Sequence, residues 1–129
     1  MLASLKKIAA VVKTFGARDI LTATIAKDAA VSGVIEIGGA RHFAIQMPAA
    51  WTTANLTFQA SNLIDGTFYD VYGSDGIEIM LTATASRMIV LDIHQSALAP
   101  LSFIKIRSGT TGTPVNQAAA RTLNVILKG

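Results

Sequence analysis

A chain of 129 residues fits one domain, because about 100 to 150 residues is the usual extent of a single hydrophobic core. Hydrophobic residues make up 51% of it and charged residues only 15%, so much apolar surface has to be buried, part of it in subunit contacts, yet no run of about 18 apolar residues is present to span a membrane. The absence of cysteine excludes disulfides, thiolate metal ligands and thiol nucleophiles together, and the net charge of +3 is concentrated at the start: Lys6, Lys7, Lys13 and Arg18 precede any acid, after which 7 basic residues face 8 acidic ones.

In chain order, Leu2, Leu5, Ile8, Val12 and Phe15 recur at spacings of three and four, with Lys6, Lys7 and Lys13 off that stripe. The pattern predicts a basic amphipathic helix over 1–16, stopped by Gly16. A helix of that length is marginal in water by itself and needs a surface to pack on. The apolar stretch Ile8–Val12 is too short, and Lys13 too close behind it, for a secretory signal. Membrane attachment is weakened by the lack of an aromatic anchor beyond Phe15, so the segment reads as an attachment arm for a protein partner.

From residue 17 to 129 the period changes to two. Leu21, Ala23 and Ile25 alternate with Thr22 and Thr24, the pattern of a half-buried strand. Comparable runs follow at 33–37, 42–47, 55–60, 67–72, 77–84, 88–93, 101–107 and 122–128, which makes nine expected strands in all. Ser32-Gly33, Gly38-Gly39, Asp65-Gly66 and Asp75-Gly76 offer the positive φ that tight turns use, and 73–76 is the strongest hairpin turn. Many short strands with a single helix predict an antiparallel β-sandwich or jelly roll. Ser108 to Ala120 forms a long uncharged connection suited to contact by shape or hydrogen bonding, with Thr110, Thr111, Pro114 and Asn116 as its contact residues.

Chemistry is sparse. His42 and His94 are too few for a multi-histidine metal site, and Asp92 with His94 can be completed to a triad only by free choice among many serines. The two glutamates and six aspartates suggest no acid and nucleophile pair. Asp65, Asp70 and Asp75 recur every five residues, without the alternating oxygen ligands of a calcium loop, and read as turn or surface residues. Gly38-Gly39 and Gly109 to Gly112 lack the lysine and the strand-to-helix context of a phosphate cradle. Outside the N-terminus the bases are scattered and aromatics are only 6% of the chain, which argues against nucleic acid. The expectation is no enzyme, no catalytic residues, no cofactor and no metal.

Trp51, Tyr69 and Tyr72 are the residues able to stack on a sugar. Against that, Phe68 with Tyr72 on one side and Tyr69 with Val71 on the other describe a strand apolar on both faces, as an interior strand is. Trp51, beside Pro48-Ala49-Ala50, stays a candidate contact residue.

Three blocks then occur together and in order: Met47-Pro48-Ala49-Ala50-Trp51-Thr52 through Thr57-Phe58-Gln59-Ala60-Ser61; Asp65-Gly66-Thr67-Phe68-Tyr69-Asp70-Val71-Tyr72; and Phe103-Ile104-Lys105-Ile106-Arg107-Ser108-Gly109 through Thr113-Pro114-Val115-Asn116-Gln117. Over residues 33–128 the chain resembles small β-sandwich virion proteins of tailed phages and prophages, similar to capsid decoration, or cement, proteins. The resemblance implies a protein made in the host cytoplasm that sits on the head surface of the virion. It also implies a homo-oligomer, expected to be a trimer, with the major capsid protein as partner and neither nucleic acid nor membrane. A carbohydrate-binding module or a tail or fibre component is the alternative. The N-terminal segment (Leu2, Leu5, Lys6, Lys7, Ile8, Val12, Lys13, Phe15, Arg18) lies outside the resemblance and is the expected arm.

Overall fold

The computed structural model describes residues 18–92, 98 and 100–129. The expected helix over 1–16 and His94 lie outside the described residues. Within them the chain forms β1 (Asp19–Ile25), β2 (Ile35–Glu36), β3 (His42–Gln46), β4 (Leu56–Ser61), β5 (Tyr69–Asp70), β6 (Met88–Asp92), β7 (Phe103–Ser108) and β8 (Arg121–Lys128). These build two four-stranded antiparallel sheets, ordered β1-β8-β3-β6 and β2-β7-β4-β5.

That order has a simple origin. β1 pairs with β8, β2 with β7, β3 with β6 and β4 with β5, so the chain is a long antiparallel ribbon whose tip is the β4–β5 connection. Rolling the ribbon brings β3 beside β8 and β4 beside β7, closing two sheets face to face. This is the eight-stranded jelly roll, the sandwich expected from the strand pattern.

Alternation decides which way each strand faces. Ala23 and Ile25, Phe43 and Ile45, and Leu123, Val125 and Leu127 point inward from one sheet. Leu56, Phe58 and Ala60 meet them from the other sheet, with Ile104 and Ile106. Each of the valine, leucine, isoleucine and phenylalanine side chains among them contributes about 1.5–3 kcal/mol on burial, which sets the register of the strands that carry them.

Three expectations change, the first being the run 33–37, of which only β2 (Ile35–Glu36) is strand. The run 77–84 is extended but forms no strand among the described residues: Ile79 donates to Val71 O at 3.1 Å, whereas Leu81 exchanges two backbone hydrogen bonds with Leu56. It passes from one neighbour to another before a second ladder rung can form. The run 67–72 shrinks to β5, which is an edge strand and not an interior one, and both of its tyrosines are exposed, Tyr69 at 71% and Tyr72 at 51%. The two tyrosines therefore serve the surface, whereas Val71 is buried in the core and Phe68 is half-buried.

Turn chemistry also differs in detail. Gly39 and Gly76 do take positive φ, as does Gly109, but at Ser32-Gly33 and Asp65-Gly66 no residue does; Asp28 and Ser86 adopt it instead.

Candidate functional site

β7 is covered on both sides. Ile104, Ile106 and Ser108 face the core, whereas Phe103, Lys105 and Arg107 face away from it, yet Phe103 and Arg107 are buried. What covers Arg107 is built from three separate stretches of chain. β5 supplies Asp70, the extended run 77–84 supplies Glu78, and the Ser108–Ala120 connection supplies Thr111. Arg107 Nη2 donates to Asp70 Oδ1, while Nη1 donates to Glu78 Oε2 at 3.1 Å and to Thr111 Oγ1 at 2.7 Å.

The planar guanidinium suits this role because its fork reaches two carboxylates at fixed angles. Glu78 is also held by Thr111, whose backbone N–H donates to Oε1 at 3.1 Å and whose hydroxyl donates to Oε2 at 2.5 Å. Hydrogen bonding to Arg107 and the charge of that guanidinium hold the Asp70 carboxyl below its ordinary pKa, partly offset by burial. Nearby, Lys105 Nζ sits 4.6 Å from the centre of the Phe68 ring, a cation–π contact that pins the segment before β5.

The Ser108–Ala120 connection is more ordered than its length and composition suggest. Gly109 and Pro114 bridge in antiparallel fashion, and Thr110 donates its N–H to Thr113 O at 3.1 Å, so 109–114 is a small hairpin of its own. Gly109 adopts φ +91, and a Cβ there would lie 2.5 Å from Thr113 O. Beyond it, fully buried Gln117 ties the return segment down. Its Oε1 accepts from Thr52 N–H at 2.8 Å, and its Nε2 donates to Thr52 O at 3.0 Å and to Ser108 Oγ at 2.8 Å. Thr111, Pro114 and Asn116 stay exposed on this braced base, and Thr110 is half-buried. The expected contact loop is thus a fixed ledge.

Trp51 is half-buried against the core, and its Nε1 donates to Ala54 O at 3.0 Å. It does not join the tyrosines. Tyr69 and Tyr72 instead line an open cleft of about 590 Å³ with Ser61, Asn62, Leu63, Pro100 and Leu101. Arg18, the last expected arm residue and the first described one, lines a second groove of about 320 Å³ with His42, Ala44, Val90, Ile126 and Lys128. The other arm residues (Leu2, Leu5, Lys6, Lys7, Ile8, Val12, Lys13 and Phe15) lie outside the described residues.

Of the aspartates spaced five apart, Asp70 is engaged with Arg107, and Asp75 Oδ1 accepts the Ile77 N–H at 3.0 Å in a turn. The Arg107 cluster and Gln117 escaped sequence reading. A second basic residue within β7, at the alternate position after Lys105, was the available signal for the first; nothing local marks the second.

No protein-family model and no curated protein matches the chain. Among solved structures it is similar to the crystal structure of SPBc2 prophage-derived protein YomS, with a TM-score of 0.50 over 87% of this chain and 95% of that one. Sequence identity between the two is 15%, so the likeness is one of fold. The jelly-roll sandwich derived above is therefore shared with a prophage-derived protein.

Proposed function

We propose that this chain is a structural component of a tailed-phage virion, and specifically a capsid decoration protein that binds the assembled head and stabilises it. The observation that carries the reading is the braced ledge. Glu78, Thr111 and Arg107 satisfy one another internally, so the 109–114 hairpin is held in place with Thr111 and Pro114 exposed on it, and the segment that supplies Glu78 carries exposed Ile77 beside it. A surface ordered before contact loses little conformational entropy on binding, which is what a repetitive, rigid lattice partner rewards. The fold shared with a prophage-derived protein supports the same reading.

In this proposal the partner is the major capsid protein, the functional unit is a homotrimer, and the chain has no catalytic activity and needs no cofactor. Co-sedimentation with assembled heads that lack the protein tests it. Wild type should pellet with heads, and Pro114→Arg or Ile77→Arg should weaken pelleting while the free protein keeps its fold and mass. Removal of residues 1–16 tests the arm in the same assay. Failure of wild type to bind any head preparation, with binding to tails or fibres, would move the protein to another part of the particle.

A second reading rests on Tyr69 and Tyr72, exposed beside the larger cleft with Asn62 and Ser61 as hydrogen-bonding groups. A glycan-binding module uses such faces. A glycan array with wild type and a Tyr69→Ala, Tyr72→Ala double variant separates the two, since a decoration protein that contacts only capsid leaves the array blank. Trp51→Ala is the added control.

A further inference from the structure

The outer face of the β1-β8-β3-β6 sheet carries one apolar row. Ile20 stands opposite Ile126, Ile126 opposite Ala44, and Ala44 opposite Val90, so the row crosses all four strands. Val90 is 78% exposed and Ile20 52%. Small Ala44 lies between Ile126 and Val90 and leaves the groove of about 320 Å³ described above. The rows on either side are polar apart from Met88: Thr22, Asn124 and Gln46 on one, Lys128 and His42 on the other. A stripe one residue wide with polar flanks matches a single amphipathic helix better than the broad face of a second sheet.

We propose that the chain's own residues 2–15 dock in cis along this row and cover it. Leu2, Leu5, Ile8, Val12 and Phe15 recur at the spacing of an apolar helix stripe, which needs a surface, and the sheet offers a row whose ends, Ile20 and Val90, are exposed among the described residues. The segment is long enough to cover the row: four strands span about 14 Å at ~4.8 Å per step, and fourteen helical residues span about 21 Å, overhanging the row by about one turn. The tether is short. Gly16 and Ala17 alone separate the segment from Arg18, which lines the groove and leads into β1, the edge strand of this sheet. So short a link keeps the segment at high local concentration over its own sheet, which favours cis docking over a neighbour's. Lys6, Lys7 and Lys13, off the stripe, then face solvent or a partner. This docking concerns the free protein and does not depend on the capsid reading.

Trypsin reports the docking directly, because Lys6, Lys7 and Lys13 are cleavable only when the segment is undocked. In the full-length free protein, cleavage after Lys13 should be roughly tenfold faster in Val90→Asp than in wild type, with the sandwich intact by circular dichroism. Leu5→Asp should match it from the other side of the contact. Equal rates in wild type and both variants would overturn the proposal. Protection that disappears on dilution would overturn its cis assignment. Since the chain has no cysteine, a Leu5→Cys, Val90→Cys double variant adds a second readout: a monomeric, faster-migrating oxidised band supports the contact, and its absence under oxidant counts against it.

Discussion

Arg107 Nη1 lies 3.1 Å from Glu78 Oε2, joining β7 to the crossing run 77–84, 29 residues earlier in the chain. The arginine side chain is 5% exposed and the glutamate 14%, with Asp70 completing the pair of carboxylates. Removing one member of such a set leaves buried charge without compensation. Arg107→Ala should lower unfolding stability by about 2–4 kcal/mol, at or just below the range for breaking a buried pair because Asp70 remains partly solvated. Urea melts check this; an effect under 0.5 kcal/mol would show that water replaces the guanidinium freely.

Acid should loosen the same clamp. The folded Asp70 carboxyl has its pKa lowered from 3.8, first by the Arg107 hydrogen bond, so the folded state binds this proton less readily than the unfolded one. Its contribution is therefore fully present above about pH 4 and is lost as pH falls through the lowered folded value. Asp70→Asn should flatten that part of the stability-versus-pH curve measured between neutral pH and pH 2. An unchanged acid limb would assign the loss to other carboxylates.

Gln117 holds the base of the ledge, so Gln117→Leu orphans the Thr52 N–H and C=O together. A loss of about 2–3 kcal/mol is expected from two stranded polar groups. Hydrogen exchange gives the local signature: the Thr52 amide should exchange faster by a larger factor than amides in β3 or β8.

Two glycines with left-handed backbones separate φ strain from crowding. At Gly76, φ +81, an added Cβ meets nothing within 4 Å, so Gly76→Ala should cost only about 1–2 kcal/mol from the backbone. At Gly109, φ +91, the Cβ would meet Thr113 O and Val115 N at 2.5 and 2.7 Å, and Gly109→Ala should cost clearly more. Thermal melts of the two variants rank them; the reverse order would mean that the 109–114 hairpin can open without loss.

The strand pattern was legible because alternation is local: Leu21, Ala23 and Ile25 reveal their inward face within seven residues of β1. The ledge was not, because its residues are polar and far apart. Thr111 and Glu78 look like ordinary surface residues until Arg107 brings them together, and Gln117 resembles the polar filler of a loop until Thr52 is beside it. The outer apolar row sits between these cases. Met88-Ile89-Val90-Leu91 and Val125-Ile126-Leu127 break the alternation in the sequence, but only strand register places Val90, Ala44, Ile126 and Ile20 in one line.

By itself, then, the sequence determined the class of fold, since a period of two with frequent turns and a surplus of apolar residues has few stable solutions other than a cysteine-free antiparallel sandwich. Tertiary structure decided which edges and faces are available for contact. It made 67–72 an edge, turned 77–84 into a crossing segment, and converted an expected loop into a braced hairpin. The physical reason is range: hydrophobic periodicity is written between neighbours, whereas an ion pair or a glutamine clamp depends on where the rolled ribbon brings distant residues together.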